Sequence, residues 1–533
     1  MPEVLEQPAT TKPSLFQRVS DFSDRRPLVM CALAGLLVIL IRLAVLPVLP
    51  IPIPGIHDEF SYLLGAETFA SGRITNPPHP MWVHFETFHT NFLPTYHSKY
   101  PPAQSLIMAF GQVVFGHPWY GVLLSVGLMI AAVCWMLQGW LLRGGVWLGT
   151  ALAILEWGLP TYWMNSYWGG ALPALGGALI IGALPRLAKN VTLRLVAVAT
   201  LGLMILANAR PYEGALLGLS AGVGLVWWRY RDGLSITALL RPAVIATFAA
   251  IVIPVFAAMM YYNFRTTGSA TTFPYSINQA RYSASPHLYV LPDQAIPRYN
   301  HEIHRKQWED FDRGLYIYAR EHPFDTMRKV YLVAYTFYFP EALVLAILLA
   351  VMLRRGTPTL VLALIVLTGY AGLAIAKSVL AHYYAPVFGA FLVLIMIGIG
   401  VCNNLKQRVF GYPLGHLLLI IILGVTTQHA IAQTGAAFRR FYYEQPLSAS
   451  YTLHVKRLER QGGKHLVIVR YGADHDAHLD WVFNRADIDA SSVVWAHDMG
   501  WQRNLELLDY YKDRKIWLYE PDNNWQTMLP YPR

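Results

Sequence analysis

The feature that most limits what this chain can fold into is a succession of apolar runs between Pro27 and Gln433, separated mostly by short loops. About 20 apolar residues cross the hydrocarbon of a bilayer as a helix, because only a helix or a closed barrel satisfies every backbone group away from water. Charged residues are only 14% of the 533, against about a quarter in soluble domains. The runs lie at 27–49, 118–141, 145–163, 169–185, 195–208, 214–228, 243–262, 331–353, 358–376, 385–401 and 413–432. They predict an all-α polytopic membrane protein of about eleven transmembrane helices. Alternate loops carry Arg143, Arg186, Lys189, Arg229, Arg231, Arg354 and Arg355, which sets them in the cytoplasm by the positive-inside rule. The net charge of +10 is then explained by membrane topology, and anionic lipid rather than nucleic acid is the expected partner.

Residues 1–26 are polar, end in Arg25-Arg26 and read as a cytoplasmic tail. The first apolar run is too long for a signal peptide and lacks a small-residue cleavage site, so it reads as a retained anchor. Cys31, Cys134 and Cys402 lie in or at the end of apolar runs and imply no disulfide framework. The transmembrane part spans 27–433, with a first outer loop at 51–117 and a large outer loop at 263–330. Within the first loop, Phe60, Leu63, Leu64 and Phe69 give 58–71 a helical rhythm, and 101–116 forms a second short apolar helix; both suit the membrane interface. Residues 434–533 differ in composition. Short β-branched or aromatic runs at 466–469, 493–496 and 516–519, with helices expected at 478–484 and 503–511, predict a small extracytoplasmic α/β domain.

The candidate chemistry clusters at one depth. Asp58-Glu59 follows the first apolar run by a few residues; a carboxylate there can take a proton from an attacking hydroxyl, or simply start a helix. Lys99, before Tyr100-Pro101-Pro102, suits a lipid phosphate or a snorkelling interfacial role. Arg210-Pro211-Tyr212-Glu213 joins two apolar runs at the outer leaflet, as a phosphate anchor or a buried ion pair. Lys377 and His382-Tyr383-Tyr384 form another outer cluster, compatible with phosphate or sugar contact or with an aromatic belt. His57, His79, His84, His89 and His97 crowd the first loop with Glu86 nearby; imidazole and carboxylate bind Zn²⁺, but the spacings fit no metal motif, so no metal ligand is assigned. There is no Gly-rich phosphate loop, which argues against a nucleotide-sugar or ATP-driven enzyme.

A first span, an outer loop opening with Asp58-Glu59, and a Lys99-Tyr100-Pro101 step into an apolar helix ending in Phe115-Gly116 together resemble the GT-C glycosyltransferases. The nearest subgroup is the one related to protein O-mannosyltransferases and the lipid A aminoarabinose transferase. The resemblance covers roughly 27–230, with weaker support from 382–386. It implies Asp58 as catalytic base with Glu59 beside it. It also implies Lys99 and Arg210 on the donor phosphate, a polyprenyl-phosphate sugar donor, an extracytoplasmic acceptor and inversion at the anomeric carbon. His382 and Tyr383 are further phosphate candidates; Glu213, Tyr62 and Trp168 are assigned to substrate contact, aromatics stacking on sugar faces or guiding the prenyl chain. The second outer loop departs from the family: Asn165, Trp168 and Gly169-Gly170 stand where many members carry an acidic residue. The expected protein is a multi-pass glycosyltransferase of the cytoplasmic membrane. The alternatives are a transporter or flippase of lipid-linked sugar, against which the halves show no repeat, and a non-catalytic anchor for 434–533.

Overall fold

The computed structural model describes residues 25–532 except 160, 339–340, 355, 406 and 444–445; the tail expected at 1–26 lies almost wholly outside them. The first helix, α1 (Pro27–Ala44), begins with proline at its first position and buries only one stripe. That stripe packs against α4 (Trp119–Trp140) through facing glycines: a Cβ on Gly35 would sit 2.4 Å from the Gly127 carbonyl oxygen. Between them the first loop carries α2 (His57–Ala70) and α3 (Ala103–Phe115). Helix α3 buries Gln104, Ser105, Met108 and Gly111 and exposes Leu106, Phe110, Val113 and Phe115. This two-faced pattern suits a helix lying against lipid.

The chain continues through α5 (Arg143–Leu152), α6 (Ala171–Lys189), α7 (Leu193–Ala207), α8 (Pro211–Arg231) and α9 (Pro242–Thr267). Helix α10 (Pro274–Tyr282), a π turn at Lys306–Asp312 and α11 (Arg313–Glu321) fill the large loop. Then come α12 (Pro323–Tyr338), α13 (Glu341–Leu353), α14 (Thr357–Ala374), a 3₁₀ turn at Ala381–Val387 running into α15 (Phe388–Asn403), and α16 (Leu414–Tyr443). All eleven expected spans fall on helices, and among the described residues seven helical segments are long and apolar enough to cross a membrane. The third, fifth, sixth and eighth differ. The third is α-helical only to Leu152 and continues as a π turn, Ala153–Gly158, instead of running to 163; the turn carries buried Glu156, 2.5 Å from His429 Nδ1 of α16. The fifth, α7, is short, and the sixth, α8, carries Glu213, Arg229 and Arg231. The eighth is two helices, α12 and α13, and begins at Pro323, inside what was expected to be loop. The core lies where α4, α6 and α15 meet, with Val133, Ile181 and Val393 fully buried.

Beyond α17 (Pro446–Arg460), strands β1 (His465–Val469), β2 (Val493–His497), β3 (Lys515–Tyr519) and β4 (Met528–Pro530) form one sheet in the order β2-β1-β3-β4. The first three are parallel and β4 is an antiparallel edge, which the sequence reading missed. Helix α18 (Trp501–Tyr510) matches the helix expected at 503–511. The helix expected at 478–484 is only a 3₁₀ turn, Ala477–Leu479. The Asp480 carboxylate accepts from the Val482 amide, and the Asn484 side chain pairs with both backbone groups of Trp495. Short polar side chains that bond the backbone in this way compete with helix.

This region does not stand apart. Leu64, Phe85, Phe92 and Tyr96 of the first loop share a core with Leu466, Ile468, Val494, Leu507 and Tyr511. Phe60 stacks on Phe483 with centroids 3.9 Å apart, Thr87 donates to Asp480 at 3.1 Å, and the Glu67 carboxylate accepts from the Ala486 amide at 3.0 Å. The sheet is thus the platform on which the first loop is folded.

Candidate active site

Helix α2 starts without a side-chain cap from Ile56; the Glu59 carboxylate reaches back instead, accepting from the amides of Gly55 (2.6 Å) and Ile56 (3.3 Å). Its other oxygen accepts from the Tyr167 amide at 2.8 Å, tying the second loop to the first. Glu59 is 1% exposed and does not line the cavity described below. Neighbouring residues on a helix point about 100° apart, so fixing Glu59 inward turns Asp58 out. Glu59, expected beside Asp58 in an orienting or binding role, is engaged by the backbone amides of Gly55, Ile56 and Tyr167.

Asp58 faces a cavity of about 710 Å³ also lined by Tyr62, Lys99, Trp168, Arg210, Glu213, His382 and Tyr383. Of the nine expected site residues, only Glu59 lies outside it. One Asp58 oxygen accepts from the Tyr100 hydroxyl in a short hydrogen bond, and Tyr100 stacks on Tyr62 at 4.3 Å. The other oxygen lies 3.6 Å from His89 Nε2. Burial alone would push the Asp58 carboxyl up, yet His89, Lys99 and the Tyr100 hydroxyl outweigh it and hold the carboxyl below its usual range. His89 itself sits at φ 61°, in the left-handed region. Its carbonyl is pinned by the Ser61 hydroxyl at 2.6 Å and the Lys99 amide at 3.1 Å, which offsets a conformation that costs a β-carbon residue about 1 kcal/mol or more.

The Lys99 ammonium is enclosed by three rings, at 5.1 Å from the centroid of Tyr100, 5.2 Å from Tyr275 and 5.5 Å from Trp308. No described carboxylate forms an ion pair with it. Burial, opposed by Asp58 and Asp312, brings its pKa down to about 8. Arg210, the residue before α8, stacks 4.5 Å over the Tyr383 ring and lies 3.8 Å from Glu213. His382 shares the Tyr162 hydroxyl through its amide and Nδ1, both at 2.9 Å, and packs against Trp168 with centroids 5.0 Å apart. The turn bearing His382 and Tyr383 presses on α6: a Cβ on Gly177 would lie 1.9 Å from the Pro386 carbonyl oxygen, so the turn seats only because that position is glycine. Lys377 is neutralised, 2.5 Å from an Asp312 oxygen and 2.9 Å from Ser285 Oγ.

The crowd of first-loop histidines separates. His79 bonds to Asp489 and Tyr511, and His97 to Asn91 and Thr95. Glu86 accepts from Tyr282 and Asn300, and His84 lies buried outside the cavity. His57 and His89 alone come to Asp58. The sequence reading missed Tyr275, Trp308 and Asp312 of the large loop and His478 of the C-terminal region, which also line the cavity. Nothing local marks them; the π turn Lys306–Asp312 delivers Trp308 and Asp312 together. Asn165, which stands where relatives by resemblance carry an acid, accepts from Arg42 Nε at 3.1 Å and donates to the Leu159 and Thr161 carbonyls; it braces the loop.

No family model and no curated protein matches the chain. Among solved structures, ArnT from Cupriavidus metallidurans in the apo state is similar with a TM-score of 0.50 at 12% identity, over 92% of this chain and 93% of that one. The Archaeoglobus fulgidus oligosaccharyltransferase tethered with an acceptor peptide has a TM-score of 0.49 at 11% identity, over 86% of this chain and 63% of that one. The fold shared with ArnT is the GT-C fold expected from the resemblance.

Proposed function

We propose that the protein is an integral-membrane glycosyltransferase that moves one sugar from a polyprenyl phosphate to an acceptor on the extracytoplasmic side, with inversion. The observation that carries this reading is a carboxylate, Asp58, that faces the same cavity as the basic side chains of Lys99 and Arg210, while the other carboxylates lining it, Glu213 and Asp312, lie beside Arg210 and Lys377. In the proposed step the acceptor oxygen bonds to the anomeric carbon as its proton passes to Asp58. The bond from that carbon to the phosphate oxygen breaks, and polyprenyl phosphate leaves with the electron pair. Phosphate is a good leaving group, so the site needs charge stabilisation more than an acid. Lys99 supplies a point charge within its aromatic enclosure and Arg210 a guanidinium beside Tyr383. A carboxyl held below its usual range is ionised at neutral pH and free to accept the proton. The similarity of fold to ArnT adds support for the class.

The test is transfer in membranes given a panel of radiolabelled polyprenyl-phosphate sugars, comparing the wild type with Asp58→Asn. The expected result is loss of transfer with donor binding retained. Full transfer by correctly inserted Asp58→Asn would overturn the base assignment. Lipid-linked sugar that merely changes leaflet, equally in both proteins, would replace the transferase with a flippase.

A further inference from the structure

We infer that His301, His304 and His497 form an acid-sensitive latch that positions Trp308 against Lys99, holding the large loop to the C-terminal region while the imidazoles are neutral. The three rings meet at one buried point. The His301 and His497 centroids are 4.2 Å apart, and His304 lies 5.8 Å from His301 and 6.3 Å from His497. Two come from the large loop and His497 from the end of β2. The first loop supplies the floor beneath them. His301 Nε2 donates to the Val83 carbonyl at 2.6 Å and His497 Nε2 to the Glu86 carbonyl at 2.7 Å, while His304 stacks on Phe88 with centroids 4.7 Å apart. The latch reaches the cavity through the chain itself. From His301 the backbone runs through Glu302–Arg305 straight into the π turn Lys306–Asp312. That turn carries Trp308 to 5.5 Å from the Lys99 ammonium and Asp312 to Lys377. Lys306 adds a second tie, donating to the Ala473 and His475 carbonyls of the C-terminal region.

Three imidazoles packed ring to ring cannot all be charged. Burial first, and then each other's proximity, holds His304 and His497 down to about 3 and His301 well below its usual value. Released into water, each takes up a proton near its ordinary 6.5. The open form therefore binds more protons than the closed form from pH 6.5 down to about 3. The closed form has its full strength above that window and loses it as pH falls. Each pH unit within it favours opening about tenfold per imidazole, and so about a thousandfold for three. Little around the cluster offsets this. The first loop brings His57, His84, His89 and Glu86, and the large loop brings Arg281 and Tyr282. The C-terminal region brings Tyr471, His475, Asp498 and Arg503. Asp498 is engaged by Arg470, and Asp522 behind His475 by that ring. Glu86 lies 3.7 Å from His301, but it already accepts from Tyr282 and Asn300 and burial raises its carboxyl above the usual range. It can balance one imidazolium of the three. Opening withdraws Trp308 and Asp312 from the cavity wall, so the surroundings of Lys99 are complete only near neutral pH. The inference concerns how the loop is held and does not depend on the transferase reading.

The test is hydrogen–deuterium exchange of the full-length protein in detergent at pH 7.5 and pH 4.5, read by mass spectrometry and corrected for the intrinsic effect of pH on exchange. Peptides covering 299–312 should exchange slowly at pH 7.5 and about tenfold or more faster at pH 4.5, reversibly, while those covering β1 stay protected at both. The triple variant His301→Gln/His304→Phe/His497→Gln keeps N–H donors for the Val83 and Glu86 carbonyls and takes up no proton. Its 299–312 segment should stay protected at pH 4.5. Unchanged protection of the wild type at pH 4.5 overturns the latch. So does loss of protection in β1 at the same pH as in 299–312, or a triple variant that opens as the wild type does. Should the triple variant already be open at pH 7.5, the single variants His304→Phe and His497→Gln decide. An opening that is less steep and displaced to lower pH supports the latch, and an unmoved profile refutes it.

Discussion

Lys99 should make the unliganded protein less stable, and removing its charge should reveal this. Its pKa falls from an ordinary 10.5 to about 8 because burial strips the ammonium of water more than the three rings and distant carboxylates restore. At about 1.4 kcal/mol per pH unit, that difference is worth about 3 kcal/mol. The sign follows from proton counting. Between pH 8 and 10.5 the unfolded chain still holds a proton that the folded protein has released. The unliganded protein therefore gains stability as pH rises through that window, and carries the full cost below it. Lys99→Met is expected to unfold at a higher temperature than the wild type at pH 7, with the difference shrinking toward pH 10. The same substitution should weaken donor binding about tenfold to a hundredfold, the worth of a charge-assisted contact of about 1.5–3 kcal/mol. The assay is thermal unfolding in detergent at several pH values, alongside binding of a polyprenyl-phosphate sugar. A Lys99→Met protein less stable than the wild type at pH 7 would refute the electrostatic account. Unchanged donor affinity would refute the phosphate role.

Arg210→Ala leaves Glu213 without its 3.8 Å partner in a buried site, so transfer should vanish and stability fall by about 3–5 kcal/mol; Glu213→Gln in the same chain should recover much of the stability and none of the activity. Glu59→Ala orphans the amides of Gly55, Ile56 and Tyr167, about 1–3 kcal/mol each, and should yield unstable protein in thermal unfolding; a stable, selectively inactive variant would instead restore Glu59 to the chemistry. Deleting 434–533 uncovers Leu64, Phe85, Phe92 and Tyr96, and size-exclusion chromatography should show aggregation; a monodisperse, active truncation would contradict the shared core.

Local pattern made much of this molecule legible. Hydrophobic runs located helices because a bilayer demands about 20 apolar residues in helical form whatever their neighbours. Basic loops, and acidic or basic residues at the ends of runs, placed Asp58, Lys99 and Arg210 at one depth, since a helix converts position along the chain into height. Where the runs misled, a long-range partner intervened: Glu156 meets His429 in the π turn that interrupts the third span, and Asn484 serves the Trp495 backbone instead of a helix.

Only the tertiary structure decided which of two adjacent carboxylates faces the cavity, since the choice depends on amides 3, 4 and 108 residues away. It also decided which two of five histidines reach Asp58, and that the large loop and the C-terminal region complete the walls with Trp308 and His478. Sequence alone determined the kind of molecule and the inventory of its polar groups, because hydrophobic length and charge are properties of short segments. Orientation and partnership are properties of contacts between segments, and no periodicity within one segment encodes the other.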